Sequence, residues 1–421
     1  MRSVKHLPLH WLILLGMAAG IVFGMLAVVF GWHGFTADWI QPLGTIFIRL
    51  LKLIAIPLII VSLINGVAGL NDVAKLSRMG LKTVAMYLIT TVVAVSIGLV
   101  VVNIIQPGSY LSETKSAEFR DKYAAAITDK VVEKQGPLQF LVDLVPENIV
   151  GAMSSNTNML QVIFFALLFG IALISLPSEK TTSVKQLFDS LNEVIMSMIH
   201  LIMRTAPLGV FALIAGLTTQ VAGDNLGETM QLFGTLGMYS LAVVIGLVMM
   251  IFVVYPLLLK FLSGRSPLAF LKAMMPAQLL AFSTSSSAAT LPLTMECCEE
   301  NLGLKKEVTS FVLPLGATVN MDGTSLYQAV AAVFLAQIYG MDLGLSDQLT
   351  IILTATLASI GSAAVPGAGL IMLVIVLNSV GVPTEGIALI FAVDRPLDML
   401  RTVVNVTGDA VVATVVQKKS R

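Results

Sequence analysis

Seven polar side chains in one apolar stretch carry most of the recognition chemistry available to this chain. Between Ile387 and Val416 the sequence is long enough to cross a bilayer, yet it holds Asp394, Arg395, Asp398, Arg401, Thr402, Asn405 and Asp409. Charges at bilayer depth are costly and rarely face lipid, so each marks a candidate ligand or ion path. Asp394, Asp398, Arg401, Thr402, Asn405 and Asp409 are spaced by four, three, one, three and four residues, which on a helix lines them up on one stripe. An arginine offers a planar two-pronged fork for a carboxylate, and an aspartate supplies the countercharge that an ammonium needs. A stripe that merely ion-pairs helices together is the bland alternative. The number of charges in one segment favours a bound, charged solute.

Composition dictates where such a stripe must sit. The 421 residues are 56% hydrophobic and 12% charged with formal net charge +0, and the mean hydropathy is +0.90. Soluble domains are about 25% charged, so the chain reads as a polytopic membrane protein. Nothing basic argues for nucleic acid. Cys297 and Cys298 are adjacent and make an improbable disulfide, and His6, His10, His33 and His200 are scattered without ligand spacing. The apolar run behind Met1-Arg-Ser-Val-Lys5 continues to about Phe30, too long for a signal sequence, and is expected to be a retained first span.

Apolar segments fall at 9–31, 40–69, 80–105, 147–176, 188–221 and 230–262, each near or above the ~20 residues a span needs. Arg2 and Lys5 precede the first span. Lys75, Arg78 and Lys82 follow the second, Lys180 and Lys185 the fourth, and Lys260, Arg265 and Lys272 the sixth, so these loops are expected to be cytoplasmic. The short opposite loops carry Asp38, Asp224 and Glu228. The long mixed-charge segment 107–146 is assigned to the outside with them. Arg49 and Lys52 in the second span, and Arg204 in the fifth, read as snorkelling or interhelical charges.

After residue 262 the pattern changes. Residues 268–300 are apolar around Ser283-Thr-Ser-Ser-Ser287, and 347–380 around the small-residue run Ser359–Gly369. Each has room for two half-length helices about a helix-breaking centre, which predicts re-entrant hairpins whose tips meet inside the membrane. A span follows each hairpin: 306–340, broken at Asn320-Met-Asp-Gly-Thr324, and the last one, with Asn405-Val-Thr-Gly-Asp409. Hairpin plus polar span, twice, with entry from opposite sides, is an inverted repeat. In transporters that arrangement puts the binding site at the repeat interface near the midplane. The expected fold is all-α, with eight transmembrane helices and two re-entrant hairpins.

These motifs, with Asp398-Met-Leu-Arg-Thr-Val-Val-Asn405, Gly408-Asp409 and Tyr87-Leu-Ile-Thr-Thr91, resemble the glutamate/aspartate transporter family of dicarboxylate/amino acid:cation symporters over nearly the whole chain. The resemblance implies that Arg401 grips the substrate's side-chain carboxylate with help from Thr324. Asp398 and Thr402 would hold its amino group and Asn405 its α-carboxylate, with the tip residues Ser285, Ser286, Ser287, Val365 and Gly369 closing over it. It also implies sodium ligands from Tyr87, Thr90, Thr91, Gly316, Thr318, Asn320, Met321, Asp322, Ser359, Ile360, Ser362, Asn405 and Asp409. Archaeal relatives carry an arginine where this chain has Ser285, and Arg395 is the candidate replacement, with Asp394 a second modulating charge. Ala364 stands where several relatives have glycine, and Pro396 is expected to kink the last helix.

The resemblance further implies a scaffold domain (1–75 and 145–222), a moving transport domain (76–144 and 223–421), a homotrimer and an elevator-like movement. The expected protein is an inner (plasma) membrane symporter with both termini cytoplasmic. It takes up L-glutamate or L-aspartate with sodium as coupling ion and has no other cofactor. Proton coupling is the alternative. An anion channel and an intramembrane aspartyl protease built on Asp322 and Asp409 are the rivals from other classes.

Overall fold

The computed structural model describes residues 9–68, 77–111, 142, 145–154, 158–222, 226–360, 362, 364 and 367–419. Every regular element among them is helical. Helix α1 (Leu9–Val29) places Gly16, Gly20 and Gly24 one turn apart, and this small-residue face lies against a later helix, α6 (Ala206–Ala222). A methyl group on Gly20 would stand 2.7 Å from the Phe211 carbonyl oxygen, and one on Gly24 would stand 2.6 Å from Thr218 Cβ. Backbones that close need glycine, the usual device for joining helices in lipid. Helix α2 (Gln41–Ala68) packs on α4 (Met159–Ser175), α5 (Ser178–Arg204) and α6.

Two expected spans are divided. Residues 147–176 form a short helix, Ile149–Met153, and then α4. The segment expected as one span over 188–221 belongs to α5 and α6, which meet at a 50° bend. Thr205 ends α5 with its N–H 2.9 Å from the Ile202 carbonyl. Pro207 then withholds the amide that a continuous helix would use.

A second group of helices surrounds the last one. Helix α3 (Ser77–Ile105) packs on α7 (Leu226–Met249), which runs on through π-turns to Ser263 and stops at left-handed Gly264 (φ +70°). Next come α8 (Pro267–Thr284) and α9 (Ser287–Glu296), α10 (Lys306–Val319) and α11 (Asp322–Ile338), α12 (Leu345–Ile360) and α13 (Ala368–Ser379), and finally α14 (Ile387–Lys419). Helix α14 touches α3, α7, α8, α9, α10 and α11. By length and composition Met79–Tyr110, Gln231–Ser263 and Val393–Gln417 can each cross a membrane, and the bent pair Glu179–Arg204 with Ala206–Gly216 makes a fourth.

Both expected hairpins are present, and their tips touch. The first turns at Ser285, held left-handed at φ +52°, and Ser286 caps α9 by accepting the Ala289 N–H at 3.2 Å. The carbonyl of Ala364, in the second tip, accepts Ser286 Oγ at 2.7 Å and the Ala288 N–H at 3.3 Å. Between the hairpins the chain breaks at Asn320–Met321, so α11 begins at Asp322 in the buried interior.

Candidate functional site

The charged stripe on α14 faces inward over its whole length: Asp394, Arg395, Asp398, Arg401, Thr402, Asn405 and Asp409 are all buried, Arg401 at 0% exposure. Arg401 Nη2 donates to Asp394 Oδ1 at 3.0 Å and to Asp398 Oδ1 at 2.7 Å. Its Nε and Nη1 meet no acceptor among the described residues. A methyl group placed on Gly369 would lie 3.3 Å from Nη1 and 3.0 Å from Thr324 Cγ2, so the second hairpin brings bare backbone to the free side of the guanidinium. Asp398 also accepts the Gly367 N–H at 3.1 Å and Arg395 Nη1 at 3.2 Å. One carboxylate thus ties α14 to the second tip, and Arg395 reaches the same site.

Asn405 sits one turn further along. It accepts the Gly323 N–H at 2.8 Å and donates to Thr324 Oγ1 at 3.2 Å and to the Met321 sulfur at 3.3 Å. It thereby holds the exposed amides of the α10–α11 break in place. Thr402 spends its hydroxyl proton on the Asp398 carbonyl at 2.8 Å and has acceptor capacity left. Ser285, Ser286 and Ser287 are buried in the first tip, and Ser285 Oγ has no partner among the described residues. Val365 lies outside the described residues.

Below this pocket the oxygen-rich residues of α3, the α10–α11 break and α14 converge. Thr91 Oγ1 donates to Asp322 Oδ1 at 2.8 Å, Thr90 Oγ1 to Asn320 Oδ1 at 3.2 Å, and Asn320 Nδ2 to Asp409 Oδ1 at 2.9 Å. Tyr87 donates to the Val312 carbonyl at 2.8 Å. Gly316 faces both the Tyr87 hydroxyl and the Asp409 carboxylate. Carboxylates, amides and hydroxyls of this kind suit a hard cation. Met321 and Ser359 lie at the same break, with Ser359 Oγ 3.4 Å from the Val319 carbonyl. Ile360 ends α12, and the Ser362 N–H bonds back to Ser359 at 3.2 Å. Thr318 is not brought in: it is exposed and bonds to Leu315 in its own helix.

Two contacts lay beyond sequence reasoning. Tyr255 Oη donates to Asp322 Oδ2 at 2.8 Å, and the Tyr327 ring lies flat against the Arg401 guanidinium, 3.8 Å from its carbon. Nothing in an apolar run distinguishes a tyrosine facing a carboxylate from one facing lipid. The network also counts against a protease: Asp322 is held by Thr91 and Tyr255, and Asp409 by Asn320, rather than by a shared proton.

Paired hairpins meeting at their tips, a helix broken at depth and a buried arginine between carboxylates define a membrane transporter for charged solutes. The chain belongs to the sodium:dicarboxylate symporter family, whose sequence profile matches residues 9–419. It is 37% identical over 419 residues to a proton/sodium-glutamate symport protein of Geobacillus stearothermophilus, covering 99% of this chain and 95% of that one. A proton/glutamate-aspartate symporter of Escherichia coli (strain K12) is 36% identical over 99% of this chain and 94% of its own. Excitatory amino acid transporter 1 of Ambystoma tigrinum is 39% identical over 90% and 77%. The family is one of carriers, not enzymes, and the chain is an integral membrane protein.

Proposed function

We propose that this protein takes up glutamate or aspartate across the plasma membrane together with cations, sodium first among them. The observation that carries this reading is Arg401: wholly buried, held on Nη2 by two carboxylates, with Nε and Nη1 uncommitted beside Gly369 and Thr324. Donors without acceptors are expensive in a buried site. A second carboxylate on an amino acid answers that need, and Asp398 is one turn away for the ammonium. The names of the relatives support the same substrates.

Charge counting supports cation coupling. Asp322, Asp394, Asp398 and Asp409 against Arg395 and Arg401 leave two uncompensated negative charges among buried groups. An acidic amino acid adds a third, a load that must be neutralised by cations or by protonation. The oxygens around Asp322 and Asp409 favour sodium. Protons are the second reading, favoured by the names of two bacterial relatives.

The packing supports a scaffold of α1, α2, α4, α5 and α6, and a moving unit of α3 and everything from α7 onward, since contacts within each group are denser than between them. We assign eight spans, both termini on the cytoplasmic side, an elevator-like excursion of the moving unit and a homotrimer on the family's pattern. Arg401→Thr, reconstituted in liposomes, tests the core of this reading. Loss of labelled glutamate and aspartate uptake, with neutral amino acids admitted, is expected. Unchanged affinity for both acids would refute it, and channel-like leak without accumulation would favour an anion pore.

A further inference from the structure

The hydrogen bonds on Arg401 leave one degree of freedom open. Asp394 and Asp398 both bind the same atom, Nη2, so they pin a corner of the guanidinium without fixing its plane. The contact that does fix the plane is the Tyr327 ring, with the guanidinium carbon 3.8 Å from its centroid. Tyr327 stands three residues after Thr324 on α11, so both lie on the face turned toward Arg401 and Gly369. The ring is itself braced. Tyr239 of α7 lies 6.4 Å away at 59°, and Tyr239 stacks on Phe334, two turns further along α11, at 4.6 Å and 24°. All three rings are buried at 0% exposure. Phe334 and Tyr327 thus clasp Tyr239 between them, and the clasp leaves the Tyr327 face no room to tilt.

We propose that Tyr327, braced by Tyr239 and Phe334, is the positioning residue that orients the free donors of Arg401 and so sets the preference for acidic over neutral side chains. The proposal rests on Arg401 being the carboxylate-binding group. A cation against an aromatic face in a desolvated site gains enough to matter for selectivity, and the aromatic face, rather than the hydroxyl, supplies it. A guanidinium free to swing about Nη2 still carries its charge, but no longer meets an incoming carboxylate at a set angle.

The test is competition against labelled glutamate uptake in proteoliposomes, reading the inhibition constants of glutamate and of glutamine as its neutral isostere. Tyr327→Leu should lower the discrimination between them about ten-fold, by weakening glutamate while leaving glutamine unchanged, and Tyr327→Phe should restore it. Tyr327→Met fills a comparable volume without an aromatic face and should behave as Leu, which keeps the test open if the leucine variant misfolds. A parallel fall in affinity for both ligands, or discrimination intact in Leu and Met, would overturn the proposal, as would a Phe variant that behaves like Leu. Arg401→Thr in the same assay separates the two levels. If it abolishes discrimination while Tyr327→Leu does not, the positioning role fails and the carboxylate assignment stands; if Arg401→Thr leaves discrimination intact, the assignment itself fails.

Discussion

Gly316 offers the sharpest test of the cation cluster, because one methyl group there intrudes on two of its members. An added Cβ would stand 2.5 Å from the Tyr87 hydroxyl oxygen and 2.7 Å from Asp409 Cγ, where ordinary contacts begin at 3.4 Å. Those groups must therefore retreat by roughly 0.7–1 Å to restore normal separation. Neither is free to do so: Tyr87 is bonded to the Val312 carbonyl and Asp409 to Asn320. Overpacking of this kind costs about 1–3 kcal/mol, which corresponds to roughly 5- to 150-fold in an affinity. In Gly316→Ala the sodium concentration for half-maximal glutamate uptake should rise by a factor in that range, while the glutamate KM at saturating sodium stays within about two-fold. Gly234→Ala is the control. Its Cβ would meet nothing within 4 Å, and replacing a helical glycine stabilises by about 0.5–1 kcal/mol, so its sodium dependence should not move. An unchanged sodium dependence in Gly316→Ala would refute the placement of a cation among Tyr87, Asn320 and Asp409.

Ser286→Ala removes the 2.7 Å bond to the Ala364 carbonyl and the cap on α9, together worth about 1–2 kcal/mol. A cysteine placed at Ala364 should then react with a soluble thiol reagent roughly 5- to 30-fold faster, and an unaltered rate would mean that this bond does not hold the tips together. Crosslinks between α2 near Lys52 and a cysteine at Ala364 should form in one transport state and not in the other; their absence under every condition would remove the elevator from the account. Native mass of the detergent-solubilised protein should correspond to three chains, and a monomer would refute the assembly.

How far the sequence could be read depended on whether a signal was local. The α14 stripe was legible because charges at helical spacing in an apolar run have few explanations, and all seven polar residues are buried. Both tips and the Asn320–Met321 break were legible because runs of small and polar residues cannot continue a helix in lipid. The bend at Thr205 was missed although Pro207 announced it, because α5 is amphipathic and hydropathy alone merges its apolar end with α6. Tyr255 and Tyr327 were missed because their roles come from partners 67 positions away, in Asp322, and on a different helix, in Arg401. Thr318 shows the converse. Its place near the break suggested a ligand, but helical phase turns it outward onto Leu315.

The driving ion is where the account is most directly tested. Purified protein in liposomes should accumulate labelled glutamate or aspartate under an inward sodium gradient at equal pH on both sides. Each net positive charge carried inward gains about 2.3 kcal/mol per 100 mV, so an interior-negative potential should raise the accumulation if more cationic than anionic charge enters. Accumulation driven by a pH gradient alone, in sodium-free buffer, would contradict the assignment of the Asp322–Asn320–Asp409 cluster to sodium.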